Sequence, residues 1–200
     1  MGFFGNLFKS KKEKELEAIF NKINLILNSD EEQNKLLPKA LEKICDSSPT
    51  NTIPGAIGDF GRTITNPIPV NGPLGEITYL SRLLIQETGE KLFFHRLGSC
   101  NDHIDVYEMI SISGNYYDVL YLDMYYLHKS RLVPKGYILQ DEVTTIRGIN
   151  SFSSNFPINF KDVLMAQTEK MIGYPCIDTD AKNIDIKRAL YTISLYKNEH

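Results

Sequence analysis

Two β-rich runs, residues 105–113 and 116–126, are separated only by Gly114-Asn115. Such a pair between alternating runs signals a two-residue hairpin turn, because both residues tolerate positive φ. A lone hairpin is marginal in water and needs more strands or a helix against one face. The pattern therefore commits the chain to a sheet. Residues 77–86 and 91–99 are also rich in strand formers and are joined across Glu87-Thr88-Gly89-Glu90. An antiparallel β-meander of about four strands is expected, with helices over one face.

With Gly114-Asn115 as the turn, Ile112 opposes Tyr117, Ile110 opposes Val119, Glu108 opposes Tyr121 and Val106 opposes Asp123. Period-2 alternation puts these eight residues on one face. Glu108 and Asp123 become diagonal neighbours, roughly 7–8 Å apart at Cα. The other face carries Tyr107, Met109, Ser111, Tyr116, Asp118, Leu120, Leu122 and Met124, and its apolar middle suits it to lie under helices.

The flanks read as helix. Leu16, Ile19, Phe20, Ile23, Ile26 and Leu27 recur at three- to four-residue spacing, one apolar stripe. Ser29-Asp30-Glu31-Glu32 has the form of a capping box that starts a second helix, continued by Leu36, Leu37, Ala40, Leu41 and Ile44. Pro38 either kinks that helix or marks its true start. Residues 66–73, Asn-Pro-Ile-Pro-Val-Asn-Gly-Pro, are expected to be extended and rigid, since proline cannot donate to a central ladder. Residues 137–149 add at most a short strand. Near the end, Asn159 with Asp162 starts a helix stopped by Gly173, and Asp180 starts a last one.

The expected architecture is α+β: an N-terminal helical hairpin, an antiparallel β-meander of about four strands and two C-terminal helices. A basic aromatic tip, 1–14, precedes one domain, 15–200, divided into helical hairpin (15–46), Pro/Gly-rich connection (47–75), sheet (76–149) and helical end (150–200).

Charge is unevenly spread. The 22 Lys and Arg against 25 Asp and Glu give −3, no general reason to expect nucleic acid as a partner. Residues 1–14 carry Lys9, Lys11, Lys12 and Lys14 against Glu13, while residues 97–128 carry Asp102, Asp105, Glu108, Asp118 and Asp123 and no Lys or Arg. Cys45, Cys100 and Cys176 are odd in number and far apart, neither a disulfide framework nor a zinc pattern. A cytoplasmic location is expected.

Three functional expectations follow. The first is a non-enzymatic protein-binding module, in the character of a small immunity or adaptor protein. Its acidic, tyrosine-rich sheet surface would meet a partner with a basic surface. The contacts would be Tyr107, Glu108, Tyr117, Asp118, Tyr121 and Asp123, with Asn66 and Asn71 from the proline-rich loop. The second is a hydrolase or transferase of unfamiliar type, with His95 as a base oriented by a carboxylate and Glu108 and Asp123 as a carboxylate pair. The third is a membrane-peripheral scaffold, at the inner face of the membrane, in which Phe3, Phe4, Leu7 and Phe8 enter the lipid boundary and Lys9, Lys11 and Lys12 meet anionic head groups.

His95 and Arg96 have a structural alternative: pairing across strands with Glu108 or Asp105. With Thr88-Gly89 as a turn, His95 would also oppose Arg82, and Arg96 would oppose Ser81. No metal or cofactor is expected. His103, His128 and Asp102 fit no compact ligand motif. No phosphate loop, nucleophile elbow or zinc-protease motif is present.

Overall fold

The computed structural model describes residues 10–101 and 103–199. The tip residues Phe3, Phe4, Leu7, Phe8 and Lys9, and also Asp102, lie outside the described residues.

Helix α1 (Lys11–Asn28) starts with a capping box: the Ser10 hydroxyl accepts from Glu13 N–H and the Glu13 carboxylate accepts from Ser10 N–H. The expected second helix is instead two short ones, α2 (Asp30–Asn34) and α3 (Lys39–Glu42). Ser29 caps α2 by accepting from Glu32 N–H, and Pro38 is the N-cap of α3. A proline lacks the N–H that a continuous helix would use at that point, so the chain turns and restarts.

Strand β1 (Ile68–Pro69) is the extended part of the proline-rich segment. That segment does not stay extended to Pro73. Helix α4 (Gly72–Arg82) begins inside it, with Pro73 in the first turn, where the missing N–H costs nothing. Gly72, at φ +71°, makes the entry that a side chain would resist.

The fourth meander strand expected over 77–86 is therefore mostly helix, followed by β2 (Leu83–Ile85). Leu74, Glu76, Ile77, Thr78, Tyr79, Leu80 and Ser81 are all buried. A helix buried on every side carries no polar face to display the 3.6-residue period.

Strands β3 (Leu92–Cys100), β4 (Ile104–Ser111) and β5 (Tyr117–Asp123) form the antiparallel centre. After β6 (Tyr137–Leu139) and β7 (Gly148–Ile149), the main sheet has the order β1-β5-β4-β3-β7. It is mixed rather than a pure antiparallel meander, because β1 joins β5 and β7 joins β3 in parallel. The pair β2-β6 makes a small second sheet. Accordingly His95 faces Glu108 and Ile149 across the ladder, not Arg82, and Arg96 faces Tyr107, not Ser81.

Helix α5 (Phe160–Ile172) ends at Gly173 in the left-handed conformation, the usual device for stopping a helix. Asp180 lies in a 3-10 turn, Thr179–Asn183, and the last helix, α6 (Ile186–Glu199), starts later. The Asp185 carboxylate accepts from Arg188 N–H and caps it.

Both sheet faces are covered. Phe94, Tyr107, Met109, Leu120 and Leu122 are fully buried on the face that holds the Tyr107–Glu76 bond to α4. On the other face α6 packs on β5, where Tyr117 meets the Tyr196 ring at 4.6 Å. His95 meets the Phe156 ring there at 4.5 Å. Among the described residues no helix is long and apolar enough to cross a membrane.

Candidate functional site

The register of β4 with β5 decides which side chains meet. Ser111 N–H donates to Tyr116 O, so the turn holds four residues rather than two. Ile110 opposes Tyr117, Glu108 opposes Val119 and Ile104 opposes Asp123. A slip of two residues keeps every side chain on its expected face. It nevertheless removes the expected carboxylate pair. Glu108 lies four positions from Ile104 along β4, so at about 3.4 Å per residue it is roughly 14 Å from Asp123.

Glu108 instead closes a buried chain with His95 and Tyr117. His95 Nε2 lies 2.5 Å from Glu108 Oε1, and the Tyr117 hydroxyl donates to Glu108 Oε2 at 2.6 Å. Ser153 N–H donates to His95 Nδ1 at 3.0 Å. Because Nδ1 accepts, the ring carries its hydrogen on Nε2 and donates it to Glu108. Burial alone pushes the Glu108 carboxyl up, but the bonds from His95 and Tyr117, helped by the Lys197 charge, outweigh it and hold it below the ordinary carboxylate range. His95 is 1% exposed and Glu108 4%. Both ring nitrogens of His95 already have partners, so neither is free to take a proton from a substrate.

On the opposite face Arg96 Nη2 donates to Asp105 Oδ1 at 2.7 Å, and the Ser99 hydroxyl donates to the same oxygen at 2.8 Å. Both cross-strand pairings open to His95 and Arg96 are thus present. Next to them Glu76 is fully buried and accepts from the Tyr107 hydroxyl at 2.9 Å. Among the described residues its Oε1 has no donor to accept from, and the Asp105 carboxyl is its neighbour. Burial, then the Asp105 charge, pushes Glu76 well above the ordinary range. A proton kept on Glu76 lets the two carboxyls share one hydrogen bond.

The other expected contact residues separate by burial. Tyr107 and Asn71 are fully buried, and Asp123 and Glu108 nearly so; these four are not presented to a partner. Asn71 holds the α4 entry: its amide donates to Asn34 Oδ1 at 3.1 Å and its Oδ1 accepts from Lys129 Nζ at 3.3 Å. Burial raises Asp123, against the pull of the Tyr125 N–H it accepts. Asn66 ties its own loop, donating to Gly58 O at 2.7 Å. Tyr121 is partly buried.

Tyr117 and Asp118 are different. With Tyr116, they line an open cavity of about 610 Å³ beside the hairpin turn, within the range of small-ligand sites. Arg62, Glu87 and Tyr137 complete its walls. Arg62 Nη2 and Nε reach Asp118 Oδ2 at 2.8 and 3.0 Å, and the Tyr137 hydroxyl donates to the same oxygen at 2.7 Å. Burial pulls Arg62 down, but the bond and charge of Asp118 win and raise it. Burial first, then Asp118, raises Tyr137. The Arg62 guanidinium lies 5.4 Å from the Tyr137 ring centre. Asp118 is thereby saturated, whereas exposed Glu87 receives only the Tyr116 hydroxyl among the described residues, at 3.1 Å.

No family model, curated protein or solved structure matches this chain. Arg62, Glu87 and Tyr137 escape a sequence reading because each comes from a separate segment, and only the tertiary fold brings them to the hairpin. Among the described residues no group of three or more His, Cys, Asp or Glu is placed to hold a metal ion, and Cys45, Cys100 and Cys176 are free thiols. The cavity offers the rings of Tyr116 and Tyr137, a carboxylate with unused acceptor capacity and a locked arginine–aspartate pair. Such a surface can hold a cationic group by stacking and charge. It contains no nucleophile with an adjacent free base.

Proposed function

We propose that this protein is a non-enzymatic binding module, and that the cavity beside the β4–β5 turn takes a basic group of a protein partner. The observation that carries this is the convergence of Tyr116, Tyr117 and Tyr137 with Glu87 and Asp118 on one open cavity. Tyrosine buries large area with little entropy lost, and the Glu87 carboxylate, left over beside the paired Asp118, selects a cation. The acidic surface is narrower than residues 97–128 suggest, because Asp105 and Glu108 are compensated internally. A peptide library should select Arg or Lys at one fixed position. Glu87→Lys should weaken that selection, and Tyr116→Ala should cost about 2 kcal/mol. Selection indifferent to basic residues, or unchanged by both variants, contradicts the reading.

A second reading is favoured by α1. Phe20 is 62% exposed and Leu16 57%, and Leu27 is the helix's one buried residue. Lys11, Lys12 and Lys14 stand at the same end of the helix. An apolar stripe beside lysines suits shallow contact with an anionic bilayer. Sedimentation with anionic vesicles should fall for Leu16→Ser/Phe20→Ser and for a chain lacking residues 1–14. Equal sedimentation of these variants removes the idea.

A further inference from the structure

Away from the hairpin, a second cavity of about 490 Å³ lies between the end of α4 and residues 129–131. Arg82, Lys129 and Arg131 line it, opposed by Asp30 and Asp141. Lys129 has a side chain only 6% exposed, bonded to Asp30, to Gln33 Oε1 at 2.6 Å and to Asn71 Oδ1 at 3.3 Å. The Asp30 charge is thereby met inside the fold.

The arginines are not so engaged. Arg82 donates through Nε to Gln140 O at 2.5 Å, which fixes the plane of its guanidinium. Its η nitrogens have no hydrogen bond or ion pair among the described residues, and they are not sealed from solvent. Asp141 and Asp30 act on Arg82 through charge alone. Arg131 is held by its backbone, N–H to Asn51 Oδ1 at 2.8 Å. Its guanidinium also lacks a partner among the described residues, and it lines a smaller adjoining cavity with Lys129 and His128. Burial lowers Lys129, Arg82 adds to that, and Asp30 opposes it.

We infer that this cavity binds the phosphoryl group of a small phosphomonoester, gripped by the free forks of Arg82 and Arg131 over the fixed Lys129 ammonium. Two guanidinium forks match the several oxygens and double charge of a phosphoryl group better than a single carboxylate. The remaining volume accommodates a small organic part. Asp141 is the one wall carboxylate without a bonded cation, and it sets a repulsive limit on affinity.

The test is calorimetric titration and thermal melting of the full chain with O-phosphoserine and inorganic phosphate. Serine, aspartate and sodium chloride at matched ionic strength serve as controls. Phosphoserine should bind more tightly than phosphate and raise the melting temperature, and the controls should not. Arg131→Gln, at an exposed position, should weaken phosphoserine binding by about tenfold, and Asp141→Asn should strengthen it. Arg82→Gln should abolish binding. The inference is overturned if phosphoserine acts no more than matched salt, if aspartate or free phosphate binds as tightly, or if Arg131→Gln binds like the parent chain.

Discussion

Glu76 and Glu108 are buried carboxyls on opposite sheet faces, and their surroundings drive them in opposite directions. Glu108 meets three donors or cations, and Glu76 meets another carboxyl. Lowered in the fold, Glu108 contributes stability that is present above its unfolded value and lost as pH falls through its folded value. Glu76 has the reverse sign. Between its ordinary value of 4.5 and its raised folded value, the folded chain holds more protons than the unfolded chain, so stability falls as pH rises. Glu76→Gln keeps the Tyr107 bond, can donate to Asp105 and removes that titration. Urea unfolding of parent and variant across pH should show the variant gaining relative stability above about pH 4.5, at up to about 1.4 kcal/mol per pH unit. A pH-independent difference would contradict this account of Glu76. The residue types were legible in the sequence, and so was the possibility that His95 or Arg96 pairs with Glu108 or Asp105, though not which with which. The burial that turns them into structural groups was not, because the covering residues Ser153 and Phe156 lie far along the chain.

At the scale of elements, the hairpin faces follow from alternation, but its register does not. Ile112 is drawn away from Tyr117: its N–H donates to Lys91 O and its O accepts from Asp185 N–H. Thr192 on α6 donates to Gly114 O at 2.7 Å. These long-range bonds open the turn to four residues, and no local signal at Gly114-Asn115 announces them. The parallel edge strands were equally hidden. Strand β7 is two residues long and reaches β3 because Gly148 carries no side chain against the Phe94 ring. Gly148→Ala would drive a methyl group into that ring. It should cost about 1–3 kcal/mol in urea unfolding, and a neutral result would show that β7 docks more loosely than described.

Across the whole molecule, charge is sorted between interior and surface. The acidic run over 97–128 reads in the sequence as one surface, but much of it stitches the sheet internally: Asp105 to Arg96, Glu108 to His95 and Asp118 to Arg62. Near the hairpin turn Glu87 stays exposed, on a cavity that Tyr116 and Tyr137 also line. The central claim is that a basic group docks there. Its most direct test is to titrate the isotope-labelled chain with an arginine-bearing peptide chosen from the library and follow the backbone amide resonances. The account predicts shifts clustered at Gln86, Glu87, Tyr116, Tyr117, Asp118, Gly136 and Tyr137, and their loss in Glu87→Lys. Shifts clustered on α1 or on residues 128–131, or an unchanged response in Glu87→Lys, would contradict it.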